Sequence, residues 1–207
     1  MRTVRRPPDG FTLQDFSDSL AGFLAVLGVR HPHVCGLSFG SMYALALYRH
    51  HPKISQSLIL ASAYAGWAGS LSPDELAQRK RWASEVLDRP VDEWGPGFLS
   101  TVYADSTPPE VLAEAMDILR DVRPRGFRTA TAAFFDADLR DVLPLIRVPT
   151  LLLYGGRDER SPMDVAKDLH AQIRGSHLVV LPEVGHGINS EAPERFNAAV
   201  REFLSSP

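Results

Sequence analysis

The sequence predicts an α/β fold in which a mostly parallel sheet is flanked by helices and interrupted by a helical insertion. Three observations favour this fold class. Short apolar runs alternate with segments of helical periodicity at both ends of the chain. Prolines divide the middle of the chain into short helical segments. A serine between two glycines, Ser38, stands where a predicted strand meets a predicted helix.

The first predicted elements lie before residue 62. Apolar residues recur at helical spacing from Thr12 to Leu27, with Thr12 and Asp15 as a capping pair and Gly28 as the stop. The next elements are a strand, a helix and a second strand, at His33–Leu37, Ser38–His50 and Ser57–Ala61. This alternation is typical of parallel strands joined by crossover helices.

The middle segment, about residues 66–143, is predicted to be a helical lid inserted into a core formed by residues 1–65 and 144–207. All three tryptophans fall within the lid segment. Two of its helices have capping-box spacing around a proline, Ser72 with Glu75 and Thr107 with Glu110. We therefore expect both helices to begin at these pairs.

The last third of the chain returns to strands and helices in alternation. The predicted elements are, in order, Thr150–Tyr154, Pro162–Ile173, His177–Leu181 and Pro193–Leu204. Both strands are apolar runs, as expected for parallel strands that are covered on two faces. Ser161 with Asp164 is predicted to cap the first helix.

The composition restricts the classes of partner and compartment. With 207 residues, 44% hydrophobic, the chain is long enough for one globular core with an insertion. A formal net charge of −3 argues against nucleic-acid binding. The longest uncharged apolar stretch, Ala21–Val29, is too short to cross a membrane. A single cysteine, Cys35, predicted to be buried, and the lack of a secretory signal favour the cytoplasm.

The residues around Ser38 form the pattern Gly-x-Ser-x-Gly of a nucleophile elbow. A serine at so tight a turn is strained, and we expect Gly36 and Gly40 to let the strand and the helix pass close to each other. A serine hydroxyl also needs a base and an acid that orients the base. Asp158 and His186 follow two later strands, so that all three side chains are expected at one edge of the sheet.

The segments CGLSFGS, VPTLLLYGGRDERSP and LPEVGHGINSEAPERFNAAVREFL resemble lid-bearing α/β-hydrolases, from about Phe11 to the C-terminus. The chain is most similar to the group of 3-oxoadipate enol-lactonases, proline iminopeptidases and carbon–carbon bond hydrolases. The resemblance implies Ser38 as nucleophile, His186 as general base, Asp158 as its orienting acid and the Phe39 backbone N–H as one oxyanion donor. It implies a hydrolase of a small, fairly apolar ester, lactone or related carbonyl compound.

The chain departs from this family pattern in two places. Ser41 replaces a common third glycine, a change expected to alter packing only. Family members also begin with several strands and a loop that donates the second oxyanion N–H, and residues before Phe11 match neither. We therefore expect an α/β-hydrolase fold that lacks its first strands, with turnover lowered by roughly 10²–10³. His33–Leu37 would then be an open edge, for which we expect association between copies of the chain or poor solubility unless something covers it.

The remaining candidates concern the ligand. The pocket under the lid is predicted to include five aromatic residues, Trp67, Trp94, Phe98, Phe134 and Phe135. No cofactor is expected, and no metal, because the spacing of His31 and His33 lacks a third ligand. A second hypothesis is a non-catalytic relative that binds a small ligand or a partner.

Overall fold

A single sheet of four strands organises the structure. The structure is a computed structural model that describes residues 10–86 and 89–205, apart from the side chains of residues 124 and 125. The strands are, in spatial and chain order, β1 (His33–Leu37), β2 (Ser57–Ala61), β3 (Thr150–Gly155) and β4 (His177–Leu181). All three pairs are parallel, which confirms the predicted α/β architecture. The carboxyl ends of the strands therefore meet at one edge of the sheet.

Helices connect and cover these strands. Before β2 lie α1 (Leu13–Val26) and α2 (Phe39–His50). The segment between β2 and β3, predicted to be the lid, carries α3 (Trp67–Ser70), α4 (Pro73–Val86), α5 (Val91–Leu99), α6 (Pro109–Arg120) and α7 (Pro124–Phe135). After β3 come α8 (Met163–Gln172), α9 (Ile188–Glu191) and α10 (Pro193–Ser205). In the described part of the chain, no helix is both long and apolar enough to cross a lipid bilayer. Residues 1–9, which were predicted to belong to the core, lie outside the residues that the structure describes.

The sheet separates two apolar clusters. Every residue of β2 and β3 is buried, as their uninterrupted apolar runs indicate. Because successive strand side chains point to opposite faces, Leu58 and Leu60 enter one cluster and Ile59 and Ala61 the other. The first cluster continues into α2 and the segment between β2 and β3, whereas α10 covers the second. Both faces are therefore packed, which fixes the strand ends that carry the candidate site.

Two of the predicted helix starts are confirmed by their hydrogen bonds. The Thr12 hydroxyl accepts the Asp15 N–H at 3.2 Å, and the Asp15 carboxylate accepts the Thr12 N–H at 2.8 Å. Ser72 and Glu75 make the same reciprocal pair, at 3.3 and 3.0 Å. Each pair satisfies two backbone donors that the helix leaves free.

The other two predicted caps are wrong. The Thr107 hydroxyl donates to Glu191 at 3.2 Å instead of pairing with Glu110, and α6 has no side-chain cap. The buried Ser161 hydroxyl donates to the Ala63 carbonyl at 2.8 Å, and α8 likewise lacks a side-chain cap. In both cases a distant acceptor, which the local sequence does not reveal, takes the hydroxyl.

Strand β1 pairs with β2 on one side only. Within residues 10–86 and 89–205 its other side has no strand partner. Cys35, predicted to be buried, is exposed because it lies on this open edge.

Candidate active site

Ser38 lies between the end of β1 and the start of α2 in a strained conformation. Its φ of 50° and ψ of −110° lie outside the regions that a non-glycine residue ordinarily occupies. Gly36 makes the turn possible, because a Cβ at that position would lie 2.3 Å from the Gly40 carbonyl oxygen. Gly40 itself has open space where its Cβ would be, so the close approach predicted on that side is wrong. One glycine, not two, allows the strand and the helix to pass closely.

Hydrogen bonds fix this turn from both sides. The Ser38 N–H donates to the Ala61 carbonyl of β2 at 2.8 Å. The buried Ser41 hydroxyl donates to the Ser38 carbonyl at 2.5 Å and accepts the Tyr64 N–H at 3.3 Å. Ser41, expected to affect packing only, thus links the serine turn to the loop after β2.

Ser38, His186 and Asp158 form a continuous chain of hydrogen bonds. The Ser38 Oγ lies 2.7 Å from His186 Nε2, and His186 Nδ1 lies 2.8 and 2.9 Å from the two Asp158 carboxylate oxygens. His186 and Asp158 are only 5% and 6% exposed. A carboxylate accepts and does not donate, so it favours the tautomer with the proton on Nδ1. Nε2 is then free to accept the serine proton.

Backbone groups hold the acid and the imidazole in place. The N–H groups of Arg160 and Ser161 donate to Asp158 Oδ1 at 2.9 and 2.8 Å. The backbone N–H of His186 donates to the Val102 carbonyl at 2.8 Å. The backbone carbonyl of His186 accepts the buried Ser62 hydroxyl at 3.0 Å. The imidazole is therefore fixed by the core on one side and by the predicted lid on the other.

Glu191 joins the same two parts of the molecule. Its Oε2 accepts the Gly185 N–H at 3.0 Å, the Ala104 N–H at 3.1 Å and the Thr107 hydroxyl at 3.2 Å. Gly185 directly precedes His186, and the other two donors belong to the lid segment. Sequence reasoning missed Glu191, since a glutamate in a short helix carries no local signal for this role.

Ser38 and His186 line a cavity of about 250 Å³. Three of the predicted pocket residues line it, namely Trp67, Phe98 and Phe135. The other lining residues are Phe39, Tyr64, Arg79, Trp82, Ala83, Val102, Phe127, Thr131 and Arg160. The cavity is thus mainly apolar, with two arginines in its wall.

Trp94 and Phe134 lie elsewhere. Trp94 packs edge-on against Trp82 and Phe98 and donates its indole N–H to the Arg89 carbonyl at 3.3 Å. Phe134 is fully buried in the first core cluster. Both aromatics support the walls of the cavity from behind.

The charge of the site comes from two directions. Phe39 is the first residue of α2, where a backbone N–H has no acceptor within the helix and the helix dipole is positive. That N–H is available to an oxyanion next to Ser38. Burial lowers the pKa of the Arg160 guanidinium, and burial raises the pKa of the Tyr64 hydroxyl against the opposing effect of Arg79.

In the ranges that the structure covers, no cluster of three His, Cys, Asp or Glu side chains could hold a metal ion.

Comparisons with known proteins give the same fold and family. A family model described as the alpha/beta hydrolase family matches residues 4–199. The chain is 28% identical to the AB hydrolase superfamily protein YisY of Bacillus subtilis, over 97% of this chain and 76% of that protein. It is 30% identical to a pimeloyl-[acyl-carrier protein] methyl ester esterase of Neisseria meningitidis, over 83% of this chain and 68% of that protein.

A solved structure is also similar. A thermophilic esterase from Thermogutta terrifontis is 28% identical, with a TM-score of 0.86 over 99% of this chain and 76% of that one. The family model spans most of the length, and the parallel sheet and the strand-end serine are those that the resemblance implies. The chain belongs to the alpha/beta hydrolase family.

Proposed function

We propose that this protein hydrolyses a small, fairly apolar ester, lactone or related carbonyl compound through an acyl-enzyme on Ser38. The observation that carries the proposal is the hydrogen-bonded chain from Ser38 through His186 to Asp158, which opens into a cavity with mostly apolar walls. A serine hydroxyl in contact with a buried imidazole and carboxylate is the arrangement that activates it for attack.

The proposed reaction has two halves. In the first, Ser38 Oγ bonds to the carbonyl carbon while His186 Nε2 takes the hydroxyl proton, and the Phe39 N–H stabilises the oxyanion that forms. The tetrahedral intermediate collapses, the bond to the leaving oxygen breaks, and the imidazolium gives its proton to that oxygen, which departs as the alcohol. In the second half, water attacks the acyl group in the same way and releases the acid. Asp158 keeps the imidazole in the required tautomer and stabilises its positive charge.

The relatives support the reaction class. One curated relative is a methyl ester esterase, and the similar solved structure is an esterase. Both names describe esterases, and an ester bond is the bond that the proposed mechanism cleaves. The apolar cavity of about 250 Å³ favours a compact acyl group.

Replacement of the nucleophile tests the proposal. Ser38→Ala is expected to lower kcat for 4-nitrophenyl butyrate by on the order of 10⁶ and to abolish labelling by a fluorophosphonate. Ser84→Ala is the matched control, because Ser84 is exposed on α4 and lines none of this cavity. A folded protein whose Ser38 resists the probe would contradict the proposal and favour the ligand-binding hypothesis.

A further inference from the structure

Two arginines line the cavity that contains Ser38 and His186. Arg79 comes from α4, and Arg160 follows β3 two residues after Asp158. Both also line a second cavity of about 460 Å³, which shares the wall formed by Trp67, Trp82 and Phe98. The two arginines therefore belong to the wall shared by the cavity that contains Ser38 and the adjoining cavity.

Most of the donors on these groups have no acceptor within residues 10–86 and 89–205. A guanidinium carries five N–H donors. Arg79 uses two of them, one to the Tyr64 hydroxyl at 3.2 Å and one to the Arg160 carbonyl at 2.7 Å. Arg160 uses one, to the Thr101 hydroxyl at 2.8 Å. Among the described residues, three donors of Arg79 and four of Arg160 thus remain for a ligand.

The positive charge at this point is only partly compensated. Glu75 and Glu159 line the adjoining cavity. Glu75 attracts Arg79, and Asp158 attracts Arg160, without a direct ion pair among the described residues. Neither arginine makes an ion pair with a carboxylate in residues 10–86 or 89–205, and the nearby Asp158 carboxylate is occupied by His186. The Arg160 guanidinium carbon lies 4.9 Å from the centre of the Phe98 ring, and that of Arg79 lies 5.2 Å from the centre of the Trp67 ring. Aromatic faces attract cations, but they do not neutralise them. Two cations in an apolar wall favour an anionic ligand.

We infer that Arg79 and Arg160 bind a carboxylate on the substrate, so that the preferred substrate is a short ester that bears a free carboxylate as well as the bond cleaved at Ser38. A carboxylate matches the planar, two-pronged geometry of a guanidinium and needs no metal. This inference rests on the proposed function, because it assigns the substrate class of the same site.

A purely structural role explains only part of the arrangement. Arg79 donates to the Arg160 carbonyl and so joins α4 to the core. That contact uses the backbone of Arg160 and leaves its guanidinium in the cavity wall with a single protein acceptor. Arg160 is therefore the better residue to change, because its side chain donates one hydrogen bond, to Thr101, whereas the Arg79 side chain donates two.

The test compares esters that differ in charge. The mono-4-nitrophenyl esters of succinate, glutarate and adipate are compared with 4-nitrophenyl butyrate. At the best chain length we expect kcat/KM for the charged ester to exceed that for the neutral ester by at least about tenfold. Arg160→Gln is expected to lower this ratio by roughly 10–100-fold, the effect of losing a hydrogen bond to a charged group. Arg160→Lys keeps the charge and is expected to restore part of the ratio.

A matched control and a binding measurement complete the test. Arg81→Gln removes an equal charge from an exposed position on α4 outside both cavities and is expected to leave the ratio unchanged. Calorimetry on Ser38→Ala protein is expected to detect glutarate binding that Arg160→Gln abolishes.

The possible outcomes separate the two proposals. If esters are hydrolysed but the charged and neutral ones react equally, and Arg160→Gln leaves the ratio unmoved, the carboxylate site is contradicted while the proposed function stands. If no ester is hydrolysed yet glutarate binding depends on Arg160, the proposed function fails and the carboxylate site is supported. Circular dichroism of each variant verifies that it is folded.

Discussion

At residue 158, a carboxylate accepts hydrogen bonds from His186 Nδ1–H and from two backbone N–H groups at once. Asp158→Asn preserves the shape, but its amide would donate towards Nδ1 and favour the wrong imidazole tautomer. We expect kcat for 4-nitrophenyl butyrate to fall by about 10⁴. Fluorophosphonate labelling should slow in parallel, while circular dichroism stays unchanged. A variant with kcat within tenfold of the original would show that Asp158 does not orient the base.

Residues with a local signal were predictable from sequence, and residues with only a distant partner were not. Ser38 sits in a glycine-flanked pattern between a strand and a helix, so the sequence indicates its position. Arg79 and Arg160 look like ordinary surface arginines until the fold places both in one cavity wall. Ser41 likewise becomes informative only when Tyr64 is brought beside it.

At the scale of elements, Glu191 of α9 holds the loop before His186 against the lid segment. Glu191→Ala would leave the Gly185 and Ala104 N–H groups without their acceptor. We expect the free energy of unfolding to fall by about 1–3 kcal/mol. Because His186 loses its support, we also expect kcat to fall by a larger factor than the factor by which KM changes. Denaturant unfolding and ester kinetics measure both. Glu191→Gln should restore part of each loss, whereas a kcat unaffected by either variant would contradict this positioning role.

Glu194→Ala is the control for that experiment. Glu194 is exposed in the first turn of α10, and no hydrogen bond or ion pair to its side chain occurs in the described structure. Its removal is expected to change unfolding by no more than about 0.5 kcal/mol.

The ends of the strands and helices show which boundaries the local sequence pattern can predict. The predicted strands match β1, β2 and β4 at both ends and β3 to within one residue. Their apolar runs, bounded by polar, glycine or proline residues, define them without tertiary information. Helix starts were less predictable, because Thr107 and Ser161 have the spacing of caps but hydrogen-bond to distant acceptors.

At the scale of the whole molecule, the meeting of the strand ends at one edge could be predicted but the shape of the cavity could not. Parallel strands joined by helices place their carboxyl ends at one edge, which brings Ser38, Asp158 and His186 together. The cavity wall depends instead on how the helices between β2 and β3 pack on that edge. No periodicity encodes that packing, so the positions of Trp94 and Phe134 behind the wall were not foreseen.

The open edge of β1 gives the last prediction. Among the residues that the structure describes, the backbone groups on this edge have no strand partner, and they lie beside an apolar groove of about 480 Å³ between α1 and β1. Phe23 and Val26 of α1 are 59% and 86% exposed. We propose that two copies pair through antiparallel β1 strands. Two-fold pairing centred on Cys35 would bring the two Cys35 residues opposite each other, within reach of a disulfide.

We therefore expect a dimer by light scattering and a cross-link on mild oxidation. Cys35→Lys should give monomers by charge repulsion, whereas Cys35→Ser should remain dimeric without the cross-link; a monomeric parent protein at high micromolar concentration would contradict this pairing.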